Sequence, residues 1–471
     1  MRRSELIIFP MPGISHLIPM VEMAKLIARR DDRFSISFLI VSHPPDKQVN
    51  SYLDSLDRSS DIFVNNRITF LELPELEKPL ERSSRRFIEN VVEGYSPIIK
   101  QIIKEKVSGT DRPACGIIVD MFCTGIIDVA NDLNVPAYVL YTSSASSLAL
   151  LLHFQDLQHK KGVDVTELGG PDTELDIPGF EKPVPGWAVP TVLLDKSVDG
   201  GSVGILNQVK RYREAKGIIV NTFTAVESSV IPALSQDPDV PTVYDVGPIV
   251  NLNPTSGGDE RDWIVAWLDE QPPSSVVFLC FGSIGGFAVD QVKEIAYGLE
   301  KSGKRFLWSL RGHDNLDDLL PVGFVDRTAG IGKIIGWAPQ IDVLAHRAIG
   351  GFVSHCGWNS VMESLWFGVP LGTWPLYAEQ QLNAFRLVLE LGLAVEIKMD
   401  YRWDMRTRTS GVLVNADEIG NGIKKLMDLE NEGLRSKVNK MSEEIRKAAG
   451  KGGSCYASVD RFIEDVFKND T

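Results

Sequence analysis

A chain of 471 residues is too long for one ordinary hydrophobic core and calls for two domains. With 44% hydrophobic and 24% charged residues, it has the balance of a soluble globular enzyme. The formal net charge of -14 removes nucleic acid as an expected partner, because phosphate backbones call for basic stripes.

Five cysteines (Cys115, Cys123, Cys280, Cys356 and Cys455) are few, odd in number and without a C-x-x-C pair. They fit a reducing compartment and suggest neither a disulfide nor a zinc framework. After the basic start comes Glu5, and Pro10, Pro12 and Gly13 break the apolar run. We read this as a first strand, not a secretory signal. No run approaches ~20 uninterrupted apolar residues, so no membrane span is expected. A cytoplasmic location is the expectation.

In chain order, residues 6–9 form a strand and P-M-P-G turns the chain. A helix capped near Ser15 runs to about Arg29, with His16 at the strand-to-helix junction. A second strand covers 34–41. Strand, helix and strand open a doubly wound α/β sheet. The right-handed crossover puts the first junction at the sheet's carboxyl edge, where such sheets bind ligands. Further strands are predicted at 68–73, 116–119 and 137–140, with helices over 85–107 and around 129–133. Asp120 and Thr142 follow two of these strands and so share the carboxyl edge with His16. Residues 160–215 carry G-G-P, I-P-G and P-V-P-G-W and read as loops over a cleft. A strand at 217–220, a short helix near Glu227 and the segment 243–248 lead to a polar Gly/Pro-bearing stretch. That stretch, 251–260, is the expected interdomain linker.

The pattern then restarts. Strands are predicted at 276–281, 305–309, 332–335, 350–354 and 371–374, with helices at 290–301, 341–344, 361–367 and 378–391. G-S-I-G-G follows the first of these strands. S-H-C-G-W-N-S, residues 354–360, joins a buried strand to a helix. A helix start there points free backbone N–H groups above the sheet, a site for an anion. His355, Asn359 and Ser360 add side-chain donors. Glu363 lies one turn after Asn359 on the same face, an acceptor for two sugar hydroxyls. Arg347 is the only cation between residues 337 and 380. Phosphate binding by this stretch is therefore expected to use neutral donors. No G-x-x-x-x-G-K-[ST] loop is present, and no G-x-G-x-x-G follows a strand. Asp237-Pro238-Asp239 is read as a solvated loop, not a metal motif.

The stretch W-A-P-Q (337–340) through H-C-G-W-N-S (355–360) to E-Q (379–380) resembles, without a gap, the signature box of plant family 1 glycosyltransferases. The wider chain resembles that family from end to end. The resemblance implies the α/β GT-B fold, two Rossmann-like domains facing each other across a cleft. It places an acceptor domain at 1–250, a UDP-sugar domain at 261–455 and a helix at 456–471 crossing back to the first domain. It implies Trp337 stacking on uracil, with Ala338 and Gln340 at the base or ribose. Glu363 would hold the ribose hydroxyls. Ser283, His355, Asn359 and Ser360 would hold the diphosphate, and Gly357 belongs to the same donor-binding set. Trp358, Glu379 and Gln380 would hold the sugar, Gln380 favouring glucose over galactose, and Thr142 is a further sugar contact.

An alcohol attacking an anomeric carbon must lose a proton, and an imidazole titrates near working pH. A lone His at such a junction would more often cap its helix. The family's His and Asp fall on His16 and Asp120, which assigns the base and the carboxylate that orients it. The family commonly has Gly before this His, where the chain has Ser15. Ser15, Phe87, Phe122, Trp187, Ile284 and Tyr377 are the expected acceptor-pocket walls. The expectation is an inverting transfer of glucose from UDP-glucose, a co-substrate, to a hydroxyl or carboxyl of a small apolar plant metabolite. A flavonoid or other phenolic comes first, a terpenoid or hormone second. No cofactor, metal or nucleic acid is expected, and a monomer suffices. A non-catalytic UDP-sugar binder would require neither His16 nor Asp120. A UDP-sugar epimerase would not need the loops of 160–215.

Overall fold

Strands such as Leu6-Ile7-Ile8-Phe9 are apolar on both faces, which suits a parallel sheet covered by helices on both sides. A computed structural model describes residues 3–468 apart from 57–60, 66, 82–85, 109–112, 198–200, 253–258, 312–315, 405–406, 408 and 429–431. The first half contains β1 (Ser4–Phe9), β2 (Phe34–Val41), β3 (Ile68–Leu73), β4 (Ala114–Asp120), β5 (Ala137–Tyr141), β6 (Glu174–Leu175), β7 (Val184–Pro185), β8 (Gly217–Val220) and β9 (Thr242–Asp245). The second contains β10 (Val276–Cys280), β11 (Arg305–Ser309), β12 (Gly332–Ile335), β13 (Ile349–Ser354), β14 (Leu371–Thr373) and β15 (Ala394–Glu396).

Seven strands form one parallel sheet in the order β3-β2-β1-β4-β5-β8-β9, and six form another in the order β12-β11-β10-β13-β14-β15. Strand order reverses between β1 and β4 in the first sheet and between β10 and β13 in the second, the positions at which doubly wound sheets open a crevice. Register carries the consequence: Phe9 pairs with Val119, and Cys280 with Ser354. The turns after these four strands therefore emerge side by side in two pairs.

Side-chain alternation divides the first half's core. Ile7 and Phe9 pack on one face with Val119 and Tyr141, while Leu6 and Ile8 pack on the other with Phe38 and Tyr138. The C-terminal helix Ser454–Lys468 closes that second face with Val459, Phe462, Ile463 and Val466. Phe462 meets Tyr138 and Tyr244 edge-on, with ring centroids 5.1 and 5.4 Å apart. Tyr244 Oη donates to Asp465 at 3.0 Å, and Arg30 stacks over Tyr456 at 3.5 Å. The last helix of the chain thus belongs to the core of its first sheet.

Several expectations shift. The first helix spans Ile14–Arg30 with Gly13 as its N-cap; Ser15 is exposed in the first turn and caps nothing. Residues 160–215 are not all loop. The helix Ala145–Lys161 reaches into them, the β6–β7 hairpin follows, and Ser202–Tyr212 is a helix whose Leu206, Val209 and Tyr212 are buried at threefold spacing. Pro and Gly punctuation around that helix hides it from a pattern reading. The helix expected at 378–391 is a short α-helix, Gln380–Phe385, continued by a π-helical turn, Arg386–Glu390. The anion-site helix begins at Trp358, three residues earlier than its apolar run. Of the expected linker, residues 253–258 lie outside the described residues, and a helix begins at Asp259. The start of the helix expected at 85 also lies outside them; the described helix is Phe87–Ser108.

Candidate active site

At the first switch point, the helix after β1 presents His16 in its first turn, beside the end of β4. Its Nδ1 lies 2.8 Å from Asp120 Oδ2, with the His side chain 18% exposed and the carboxylate fully buried. The other Asp120 oxygen accepts the Phe122 backbone N–H at 2.9 Å, so the carboxylate cannot swing away. Nδ1 is thereby committed, and Nε2 is the ring nitrogen left for a substrate. Burial by itself would lower the imidazole pKa. The charge and hydrogen bond of Asp120, with the charge of Glu379 behind them, outweigh it and raise His16 above its ordinary 6.5.

Thr142, Ser143 and Ser144 follow β5 on the same edge, and all three are buried. Glu227, 1% exposed, anchors the helix behind them. It accepts the N–H groups of Ala145 and Ser146 at 2.7 Å each, the hydroxyl of Ser146, and the hydroxyl of Thr222 at 2.5 Å. A carboxylate at a helix start also matches the helix dipole. Truncation would orphan four donors in the interior. Glu227→Ala is expected to cost about 3–5 kcal/mol, roughly a 10 °C drop in the melting transition of the first half. Calorimetric unfolding checks this; an unchanged melting temperature would mean the turn is anchored by something else. The sequence reading noted Glu227 only as a helix neighbour, since its partners are up to 82 residues away.

At the second switch point, His355 is clamped between two turns. A Cβ on either Gly282 or Gly357 would stand 2.5 Å from His355 Nε2, so both positions need glycine to admit the ring. Gly282 also adopts φ +77°, a conformation that favours glycine. Burial first, and the charge of Arg311 second, push the His355 pKa down to about 4. The ring is neutral at physiological pH, and its buried Nδ1 has no hydrogen-bond partner among the described residues. An orphaned polar atom at the start of the helix Trp358–Phe367 fits an anion-binding turn that a ligand completes.

Trp337 is 48% exposed, so its indole is not a core aromatic. Ala338 beside it is buried. Gln340 Nε2 donates to Ser360 Oγ at 2.8 Å and to Glu363 Oε2 at 2.5 Å, which orients the carboxylate. Burial pushes the Glu363 carboxyl up to about 7, against the smaller lowering effect of Gln340. A proton there removes acceptor capacity. With Glu363 on the ribose hydroxyls, as the family resemblance implies, affinity for UDP-glucose, whose diphosphate has no proton to gain in this range, is expected to weaken as pH falls through about 7, and Glu363→Gln to flatten that dependence. Titration calorimetry between pH 5.5 and 8.5 checks it; a flat wild-type profile would remove Glu363 from the ribose site.

The halves meet through polar contacts. Trp358 Nε1 donates to the Asn221 carbonyl at 2.6 Å, so this indole is buried in the domain contact and its ring is not open to a sugar. Asn359 faces Asn221 at 3.5 Å. Ser143 Oγ donates to Glu379 at 2.9 Å, and Ser144 Oγ to Asn383 at 3.2 Å. Gln380 is 3% exposed, so it is not on a solvated helix turn. Its Oε1 accepts the N–H groups of Leu376 and Tyr377 at 2.9 and 3.0 Å, and its side chain also hydrogen-bonds that of Tyr377. Ser283 is exposed in the turn after β10.

A cavity of about 880 Å³ lies against Phe122, Tyr377 and Glu379. Met121, Tyr141, Tyr212, Gln208, Arg402 and Trp403 are among its other walls. Four of the expected acceptor residues do not line it. Phe87 packs in the first half's core, and Trp187 turns its ring edge-on to Phe385 with centroids 6.2 Å apart. Ile284 is 54% exposed, and Ser15 is exposed on its helix. The walls come instead from the helices Ala145–Lys161 and Ser202–Tyr212 and from residues 190–197. Sequence reasoning missed those at 190–212 because it treated 160–215 as loop, and those of the helix Ala145–Lys161 because it assigned no element there. It also missed Arg311, a cation next to His355. That arginine lies outside the signature stretch, and only the adjacency of β11, β10 and β13 brings it there. Among the described residues, no group of three or more His, Cys, Asp or Glu side chains is arranged to hold a metal, and no helix is long and apolar enough to cross a membrane.

Two parallel α/β sheets facing across a cleft, with a His–Asp pair at one switch point and an anion-binding turn at the other, define a GT-B glycosyltransferase. Residues 251–417 match the family model for UDP-glucoronosyl and UDP-glucosyl transferases. A Fragaria ananassa protein named for flavonoid 3-O-glucosylation from UDP-glucose is 47% identical, over 98% of this chain and 99% of its own. A Siraitia grosvenorii UGT solved with UDP superposes with a TM-score of 0.89 at 43% identity, covering 99% of this chain and 100% of that one. A Medicago truncatula UGT solved with UDP-glucose gives 0.87 at 41%, covering 98% of each. The chain belongs to the plant family 1 UDP-dependent glycosyltransferases, and it is an enzyme of that class.

Proposed function

We propose that this enzyme transfers glucose from UDP-glucose to a hydroxyl of a small, largely apolar acceptor, with inversion at the anomeric carbon. The observation that carries the reading is the 2.8 Å His16–Asp120 pair, with Glu379 near enough to add to the field on His16 while also walling the cavity. The acceptor O–H gives its proton to His16 Nε2 as its oxygen attacks the anomeric carbon. The bond from that carbon to the β-phosphate oxygen breaks, and UDP departs with the electron pair. Asp120 stabilises the imidazolium that forms. Charge growing on UDP meets the helix start at Trp358 and neutral His355. One displacement turns an α-linked donor into a β-glucoside and needs no enzyme nucleophile. Trp337 offers a flat face for uracil, and Glu363 an acceptor pair for the ribose hydroxyls. The backbone at Trp358, with Glu379 and Gln380, would meet the glucose hydroxyls.

A cavity of about 880 Å³ suits a multi-ring metabolite. The Fragaria ananassa relative makes a flavonoid or other phenolic the first acceptor class to test. Terpenoid, hormone and carboxylate acceptors use the same chemistry. The five cysteines are all buried, and the structure describes no disulfide between them, which supports a reducing, cytoplasmic setting. The test is UDP release from UDP-glucose across phenolic, terpenoid and carboxylate acceptors, each with and without EDTA. Acceptor-dependent release that EDTA leaves intact, with a β-anomeric product by NMR, is the expected result. An α-linked product would overturn the single displacement, and release stopped by EDTA would overturn charge stabilisation by neutral donors.

A further inference from the structure

Arg311 follows β11 and reaches across the carboxyl edge of the second sheet to two separate pieces of the donor site. Its Nη1 donates to the Ser283 carbonyl at 3.0 Å, and its Nη2 to the Gly282 carbonyl. Its guanidinium carbon lies 5.1 Å from the centroid of the Trp337 ring, within cation–π range. The turn follows β10, the arginine β11 and the indole β12, so one side chain joins the ends of three neighbouring strands. A trans peptide is planar, with the carbonyl of one residue opposed to the N–H of the next. Holding the carbonyls of Gly282 and Ser283 therefore fixes the directions of the Ser283 and Ile284 N–H groups. The indole keeps 48% of its surface exposed with the guanidinium beside it, so area remains for a flat ring.

We propose that Arg311 is a positioning residue for the donor: it braces the Trp337 indole against the Gly282–Ser283 turn, so the base and diphosphate sites stand at a fixed separation before UDP-sugar arrives. The proposal rests on the donor-site reading above. The brace needs a planar fork with two donors and an aromatic-stacking face, which arginine has and lysine lacks. Preassembly of this kind lowers the ordering cost of binding. It acts on affinity for the uridine part as well as the phosphates, because the indole and the turn are held by the same group.

The test compares wild type, R311M and R311K by titration calorimetry with UDP and with uridine, beside KM for UDP-glucose and kcat at saturating donor. R311M is expected to lose about 10- to 100-fold in UDP affinity, the scale of lost hydrogen bonds from a charged donor. Uridine should also weaken, KM for UDP-glucose should rise in parallel, and kcat should change much less. R311K should recover little, since its ammonium supplies the charge without the fork. It also keeps the comparison alive if R311M does not fold. Wild-type UDP and uridine affinities in both variants would overturn the brace. So would a UDP-only loss that R311K restores, which would make Arg311 a counter-charge for phosphate. Failure of the wild-type enzyme to bind UDP at all would instead overturn the donor-site reading.

Discussion

Replacing His16 by alanine is expected to lower turnover by about 10²–10⁴-fold, the usual weight of a general base, while leaving UDP affinity close to that of the wild type. The separation follows from geometry. His16 and Asp120 belong to the turns after β1 and β4 in the first sheet, whereas Trp337, His355 and Glu363 belong to the second. The polar contacts between the halves at Asn221, Ser143 and Ser144, and those of Arg386 and Arg402 with the carbonyls of Val226, Gly186, Trp187 and Val189, do not involve His16. His16 is also partly exposed on a helix turn, so its truncation leaves no large cavity. The measurement is kcat at saturating acceptor beside a UDP titration on the same preparation. Turnover within a few-fold of wild type would remove His16 from the proton path. Loss of UDP binding along with turnover would show that the variant disturbs the second sheet as well, and the assignment of a base would then need the conservative His16→Gln variant. A protein that only binds UDP-sugars would show no acceptor-dependent step for His16 to affect.

How much of this site the sequence discloses depends on how local each signal is. The turn 354–360 is legible because a buried apolar strand runs straight into small and polar residues and then an apolar helical run. Every group in it lies within a few residues of the others. The positions of His16 at a strand-to-helix junction and of Asp120 at a strand end on the same edge are legible in the same way, but their roles come from the resemblance to the family, since a lone His there would more often cap its helix. The sequence does not say that the two are 2.8 Å apart; that follows from β1 pairing with β4, more than 100 residues apart. Arg311 is invisible for a related reason, since its role depends on three strands lying side by side. Phe87 and Trp187 mislead in the opposite way. Both are large aromatics near the cleft in sequence, but side-chain direction decides between core and cavity, and helix phase and loop path set that direction. Trp337 shows the converse, an aromatic more often buried that here stands exposed. The contacts of Trp358 likewise reassign a box residue, because its indole meets Asn221 across the domain contact and not the cavity.

Asp120→Asn should bring a loss at the upper end of that of His16→Ala, about 10⁴-fold in turnover, the scale seen when the analogous carboxylate of a serine-protease triad is changed to amide. The cause is the tautomer. The buried carboxylate can only accept, so neutral His16 carries its proton on Nδ1 and keeps Nε2 as the base. An amide nitrogen at the same position would donate to Nδ1 and move the proton to Nε2, where it blocks the acceptor hydroxyl. The pH profile separates this from a structural effect. Protonated His16 cannot accept a proton, so kcat/KM for the acceptor falls as pH drops through the His16 pKa. In the wild type that limb stands above 6.5, because the charge and hydrogen bond of Asp120 outweigh burial. In the Asn variant the carboxylate's contributions vanish and burial remains, so the limb should move to lower pH even as the plateau collapses. A plateau loss with the limb unmoved would mean that Asp120 holds β4 and Phe122 in place without tuning His16. A moved limb with wild-type turnover would mean that the proton leaves by another route, since the imidazole would then have changed its chemistry without changing the rate.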